Sequence, residues 1–223
     1  MNLEASKIQA KRTSIFARLP PPFTPIEWIA IIAVGIITPL VNERLETLLL
    51  GFFFSNQSSL PFFDFAGGPI PIDLFFTWQA YGGILVSYLI RKPGAATLSM
   101  LIDGVIQFVY NGQHPVHLGY VLNGLGADLV FASFKYKRYD LLTVPLAGAV
   151  SALAYFVNSG LSHGEFLLPI GSVLVRIATR LIGGAAGNGL IGGALGYAIL
   201  TLSRRFKKST VSKEASLRKA EPV

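Results

Sequence analysis

Positive charge in this chain is segregated from its hydrophobic stretches, and that constrains the fold more than any motif does. The stretches read as six membrane spans, at 26–41, 72–90, 94–110, 116–134, 141–158 and 171–203. An even number of crossings puts both termini on one side. Of the 19 Lys and Arg, 16 lie on that side: in the N-terminal segment, in the turns at Arg91-Lys92 and Lys135–Arg138, and in the C-terminal tail. Only Arg44, Arg176 and Arg180 do not. The positive-inside rule assigns such basic loops and termini to the cytoplasm. The expectation is an all-α polytopic membrane protein of the cell membrane. A six-transmembrane-helix bundle spans 26–203, with a long first extracellular loop, between a basic cytoplasmic N-terminal segment, 1–25, and a basic cytoplasmic tail, 204–223.

Composition removes several function classes. Charged residues make up 14% of the chain, where a soluble domain carries about a quarter. The net charge of +7 sits in short loops and tails beside apolar spans, so topology accounts for it and nucleic acid is not an expected partner. There is no cysteine, hence no disulfide framework and no thiolate chemistry. A G-x-x-x-x-G-K-[ST] loop is absent, so this chain cannot supply a P-loop ATPase. H-E-x-x-H and G-x-S-x-G are absent too, which argues against protease or lipase chemistry. The G-x-G-x-x-G match from Gly187 to Gly192 has no preceding strand and is rejected as a dinucleotide site. His114 and His117 lack a third ligand, so neither a metal site nor a cofactor is expected.

The connection from Asn42 to Pro71 is about 30 residues, phenylalanine-rich and longer than most ordered loops, which suggests a lid folded over the outer surface. It contains an Asn56-Gln-Ser58 glycosylation triplet. The last span, 33 residues long, carries small-xxx-small pairs such as Gly183 with Gly187. These permit close helix approach, either inside the bundle or against a partner membrane subunit.

An acidic residue within a membrane helix costs about 2.5–3.5 kcal/mol on insertion scales, so it calls for a partner or a function. Asp103 sits mid-span with Gln107 one turn on. Asp128 lies near the basic end of its span, within reach of a helix end or of Lys135. Tyr120 and Asn123 share a face. Trp78 shares one with Tyr81, as does Tyr155 with Asn158. An apolar cavity with a few convergent polar groups is the usual small-molecule site, and Trp78, Tyr81, Asp103, Gln107, Tyr120, Asn123, Tyr155 and Asn158 are its candidate lining. Arg180, one turn beyond Arg176, either anchors an anionic group or pairs with Glu165 or with lipid headgroups.

Two segments carry a family resemblance: Arg91-Lys-Pro-Gly-Ala-Ala96 opening the third span, and Asn123-Gly-Leu-Gly-Ala-Asp-Leu-Val-Phe131 in the fourth. With the basic, aromatic Phe134–Tyr139 turn, they resemble the substrate-binding S components of energy-coupling-factor (ECF) transporters, nearest the hydroxymethylpyrimidine/thiamine permease (YkoE-like) branch. The resemblance runs from about Trp78 to Tyr155. Asp103, Asn123 and Asp128 stand where that branch has glutamate, glutamine and glutamate, each one methylene shorter. It implies a non-enzymatic vitamin receptor that takes ligand from outside and docks on a membrane coupling (T) subunit driven by ABC ATPases. A cationic aromatic ligand such as thiamine would suit Trp78, Tyr81 or Tyr120 by stacking and cation–π attraction, with Asp103 as countercharge. Asp128, Arg180, Gly183 and Gly187 are then structural or coupling residues. Two other classes remain: a stand-alone carrier or channel, and a membrane enzyme acting on lipid.

Overall fold

The computed structural model describes residues 22–55, 77–111, 118–162 and 164–220, and every regular element among them is helical. α1 (Pro25–Ser55) is followed by a 3-10 turn (Thr77–Ala80) that runs into α2 (Tyr81–Ile90). α3 (Ala95–Asn111), α4 (Leu118–Ser133) and α5 (Thr143–Ser162) come next. After a short 3-10 turn (Glu165–Leu167), α6 (Ile170–Gly183), a π-helical segment (Gly184–Ile191) and α7 (Gly192–Ala220) form one long sixth rod. The stretches Pro25–Leu45, Thr143–Ser162 and Ile170–Phe206 are long and apolar enough to cross a membrane, and α2, α3 and α4 are shorter apolar helices.

α1 starts with a reciprocal capping box. The Thr24 N–H donates to Glu27 Oε2 at 2.6 Å, and the Glu27 N–H donates to Thr24 Oγ1 at 3.3 Å. Each side chain satisfies a backbone donor that the first helical turn leaves open. Lys92 Nζ ties Glu27 (2.7 Å) to the α2–α3 turn. The expected outer loop is corrected in its first part, because 42–55 is helix and not loop. From Asn42 to Leu50 the sequence is Leu- and Glu-rich without glycine, and those residues favour helix. The rest of that loop, with Asn56, lies outside the described residues. Helix also continues into the basic tail, over 204–220.

α2 is only ten residues long and is buried over Gly82–Ser87, as an all-round apolar helix must be. It packs against α1, α3 and α7, while α4 lies between α3 and α5. The α4 glycines make that layering possible. A Cβ at Gly124 would stand 2.5 Å from Thr97 Cα on α3, and one at Gly126 would stand 2.9 Å from Ser151 Cα on α5. The main apolar core, around Ile84, Ala96, Phe131, Val144 and Ala147, sits toward the end that carries the basic turns.

Both basic turns place non-glycine residues in the left-handed backbone region. Arg91 (φ 56°) ends α2 with its N–H on Ser87 O, and Lys135 and Tyr136 (φ 54° each) follow α4. Such residues persist where their surroundings hold them. Tyr139 stacks on Phe131 with centroids 4.6 Å apart, and the Arg91 guanidinium stands 4.9 Å from the Tyr139 ring centroid. Asp140 then caps α5 through Oδ1, which accepts the N–H groups of Leu142 (3.2 Å) and Thr143 (2.8 Å). Those bonds hold the Asp140 carboxyl below its ordinary range.

Candidate functional site

The polar groups that the sequence singles out separate into two sets. Asp128 belongs to the basic end. Gly124 brings α4 onto α3, and one turn later Asp128 Oδ2 accepts the Thr97 N–H (3.0 Å) and the Thr97 hydroxyl (2.6 Å). The carboxylate therefore caps the N-terminus of α3, where the orphan N–H groups and the helix dipole favour a negative group. The Tyr136 hydroxyl donates to the Asp128 backbone oxygen at 3.2 Å, closing the α4–α5 turn over the same point. Burial, and then the Asp128 charge, push the Tyr136 phenol up to about 12.

Asp103 is different. It is 1% exposed in the middle of α3, and neither of its carboxylate oxygens has a hydrogen-bond partner among the described residues. Tyr81, whose side chain hydrogen-bonds Thr38 of α1, is close enough to interact electrostatically with Asp103. Gly104, the next residue, faces Tyr120, because a Cβ there would lie 3.2 Å from Tyr120 Cβ. Tyr120 meets Tyr155 edge to face, centroids 6.4 Å apart. Gly119 makes room for that pair: its Cβ would fall 2.7 Å from Tyr155 Cε2 and 3.1 Å from Asn158 Nδ2. Tyr120, Tyr155 and Asn158 thus converge on the α4–α5 seam, and Asp103, Gly104 and Tyr120 link it to Tyr81 on α2.

Arg180 adjoins this group. Its guanidinium lies 5.8 Å from the Tyr155 ring centroid and 5.1 Å from that of Phe156. Of the readings of Arg180, the structure shows the ion pair with Glu165: Nη2 lies 3.2 Å from Glu165 Oε1, and Arg176 Nη1 lies 3.4 Å from the same oxygen. Asn123 is buried, and its Oδ1 accepts the Ser151 hydroxyl at 2.9 Å, so it holds α4 to α5. Gln107 is half-buried, and Tyr110 on the same stripe is 54% exposed, so the polar line on α3 runs from the interior to the surface. The backbone of Trp78 lies in the 3-10 turn, and its side chain, with His114, His117 and His163, lies outside the described set.

One further residue enters the site. Asn188, fully buried in the π segment, accepts the Ala80 N–H with Oδ1 at 2.9 Å, and its Nδ2 has no partner among the described residues. Its amide holds the start of α2, just before Tyr81. The glycines around it answer the packing question. A Cβ at Gly148 of α5 would strike Gly184 O and Gly189 N, and one at Gly189 would fall 2.5 Å from Pro145 Cα. Gly192 and Gly196 abut α2 at Tyr81 O and Tyr88. These glycines serve internal packing. Gly183 is buried and Gly187 is half-buried on the same rod. The signal for Asn188 was a lone amide in a glycine-rich apolar run, where burial without a function is costly.

Three comparisons bear on this arrangement. Residues 23–154 match the family described as the ABC-type cobalt transport system, permease component. The chain is 30% identical over 163 residues to YkoE of Bacillus subtilis (strain 168), which carries the provisional name HMP/thiamine permease protein; the match spans 67% of this chain and 81% of that one. A crystal structure of an S component of an ECF transporter superposes with a TM-score of 0.68 at 24% identity, over 90% of this chain and 100% of the other.

Proposed function

The chain belongs to the permease-component family of ABC-type cobalt transport systems and is built as an S component of an ECF transporter, a transport subunit and not an enzyme; on that premise we propose that it captures a small cationic or amine-bearing heteroaromatic vitamin, hydroxymethylpyrimidine or thiamine. The observation that carries this reading is Asp103, a buried carboxylate with no partner among the described residues, beside Tyr81 and the Tyr120–Tyr155 pair. Withdrawing such a charge from water costs several kcal/mol unless something offsets it. A ligand that brings a cation or amino N–H groups to Asp103 and a ring to the tyrosines supplies that offset. Kinship with YkoE, named for HMP and thiamine, supports the same ligand class.

In this reading Trp78, Tyr81, Asp103, Gln107, Tyr120, Asn123, Tyr155 and Asn158 form the site, some by contact and some, like Asn123, by holding helices in place. Arg180 adjoins it, and Asp128 holds the α3–α4 contact at the basic end, away from the ligand. Ligand enters opposite the basic turns, which face the cytoplasm with both termini. Energy comes from a T subunit and ABC ATPases, which should co-purify with the chain; transport that persists without them would favour the stand-alone carrier.

The test is a tryptophan-fluorescence titration of the purified protein with thiamine, hydroxymethylpyrimidine and, as a separate arm, Co2+. Saturable quenching by either organic ligand, weakened in Asp103→Asn, is the expected result. A folded protein that ignores both organic ligands would remove the vitamin assignment, and saturation by Co2+ alone would replace it with a metal cargo.

A further inference from the structure

At the end of the bundle opposite the ligand site, a cavity of about 700 Å³ opens between α2, the start of α5 and α7. Tyr88, Tyr139, Val144, Gly189, Ala194 and Tyr197 line it. Its size suits a small molecule, but such sites also place several polar groups to fix orientation. Here the polar side chains are tyrosine hydroxyls and Asp140, whose Oδ1 is committed to the N-terminus of α5. The lining does not select a polar ligand. Its flanks, Leu141 (88% exposed) and Tyr197 (64%), are apolar and face outward.

Cations stand around the same cavity. The Arg91 guanidinium lies 4.9 and 5.7 Å from the ring centroids of Tyr139 and Tyr88, both of which line it. α7 adds two more. Arg204 is seven residues, two turns or about 10 Å, beyond Tyr197. Arg205 is eleven residues, or three turns, beyond Ala194, so both arginines continue the cavity-lining stripe of α7. Both are exposed. An apolar slot open to the side, crowned by three arginines at the basic end of a membrane helix bundle, is complementary to one kind of molecule.

We propose that this cavity is a specific site for an anionic phospholipid, with an acyl chain between α2, α5 and α7 and the phosphate held by Arg91, Arg204 and Arg205. Clustered basic residues just beyond a membrane helix attract acidic headgroups. The slot adds a defined seat for the chain, and its walls include Val144 and the Gly189–Gly193 stretch through which α5 and the sixth rod meet. An occupied slot would brace that seam.

The test is native mass spectrometry of the detergent-purified full-length protein with phosphatidylglycerol and phosphatidylcholine of identical acyl chains. Phosphatidylglycerol should be retained roughly tenfold better. Arg204→Gln with Arg205→Gln should level the two lipids, and Ala194→Phe should release both. Should Ala194→Phe fail to fold, photoactivatable phosphatidylglycerol on the wild type should label the 190–197 peptide. Equal retention of the two lipids, labelling elsewhere, or equal competition by acyl-free glycerophosphoglycerol would overturn the proposal. So would protection of that peptide by a co-purified coupling subunit and not by lipid, which would make the cavity a protein-docking surface.

Discussion

Asp103 and Asp128 stand on neighbouring helices, both nearly inaccessible to solvent, and the fold treats them in opposite ways. Asp128 caps α3 through Thr97 and sits beneath the Tyr136 hydroxyl bond, within a region where Arg91, Glu27, Lys92 and Asp140 are each bound to a neighbour. Asp103 has no such partner among the described residues, and Asn188 Nδ2 shares that condition. At the basic end, then, one oxygen of the carboxylate is spent on holding a helix end, although Asp128 Oδ1, Tyr139 Oη and Thr143 Oγ1 have no hydrogen-bond partner among the described residues. Deeper in the bundle, both oxygens of Asp103 are left open. A carboxylate satisfied by its own fold contributes stability and has little left for a ligand. One kept open costs stability in the empty state, and its differential interaction with ligand can become affinity.

The open region is not a loose one, and the largest expected effect tests that claim. Gly148 meets backbone at two points of the π segment that carries Asn188, Gly184 and Gly189. A methyl there cannot be relieved by rotating a side chain, so Gly148→Ala should destabilise by about 3 kcal/mol, the upper range for overpacking. Thermal unfolding of the purified protein measures it. A neutral result would mean that the π segment shifts freely and that Asn188 is not held in place. Next in size is Asp128→Ala. It strands the Thr97 N–H and removes a charged acceptor, at a cost of about 2 kcal/mol, with ligand affinity unchanged in the folded fraction. Loss of affinity without loss of stability would reverse the roles of the two aspartates.

The contrast was only half legible in the sequence. Helix number and the placement of the basic turns followed from charge and hydropathy, because the membrane imposes both. Asp128 could be given a structural role, at a helix end or with Lys135, because it lies near the basic end of its span; the choice of the Thr97 helix end came only with the α3–α4 packing. Arg180 could not be resolved between an anion and Glu165, since pairing depends on how the chain reverses between α5 and α6. The helical run beyond Asn42 was missed because a hydropathy window closes where Glu43, Arg44 and Glu46 begin, although those residues favour helix. The Thr24-Pro-Ile-Glu27 capping box stood in plain view as an [ST]-x-x-[DE] signature. The π segment had no signal beyond its glycines, because its register comes from contacts with α2 and α5.

Asp103→Asn sharpens the comparison from the other side. The substitution keeps the shape and removes the charge, so the empty protein should be unchanged or slightly more stable, unlike Asp128→Ala. Affinity for a cationic or amine-bearing ligand should fall at least tenfold, about 1.4 kcal/mol. A variant that loses stability while keeping affinity would place Asp103 among the structural groups and remove the central support for the proposed site.

The smallest effect is at Tyr136 and probes the closed end by pH. Its hydroxyl is held up to about 12 by burial and by Asp128, against the ordinary 10 of an unfolded tyrosine. A group whose folded value is raised adds stability in full below pH 10, and that contribution is lost as pH rises from about 10 through about 12. Tyr136→Phe removes the bond to the Asp128 backbone oxygen, costing about 0.5 kcal/mol at neutral pH, and should flatten the alkaline fall in unfolding temperature. Asp128→Asn should flatten part of it too, since the Asp128 charge is the second cause of the raised value. Asp103→Asn should leave it as it is. An alkaline fall that tracked Asp103 instead would mean that the two carboxylates are coupled, and the division between a closed basic end and an open ligand site would fail.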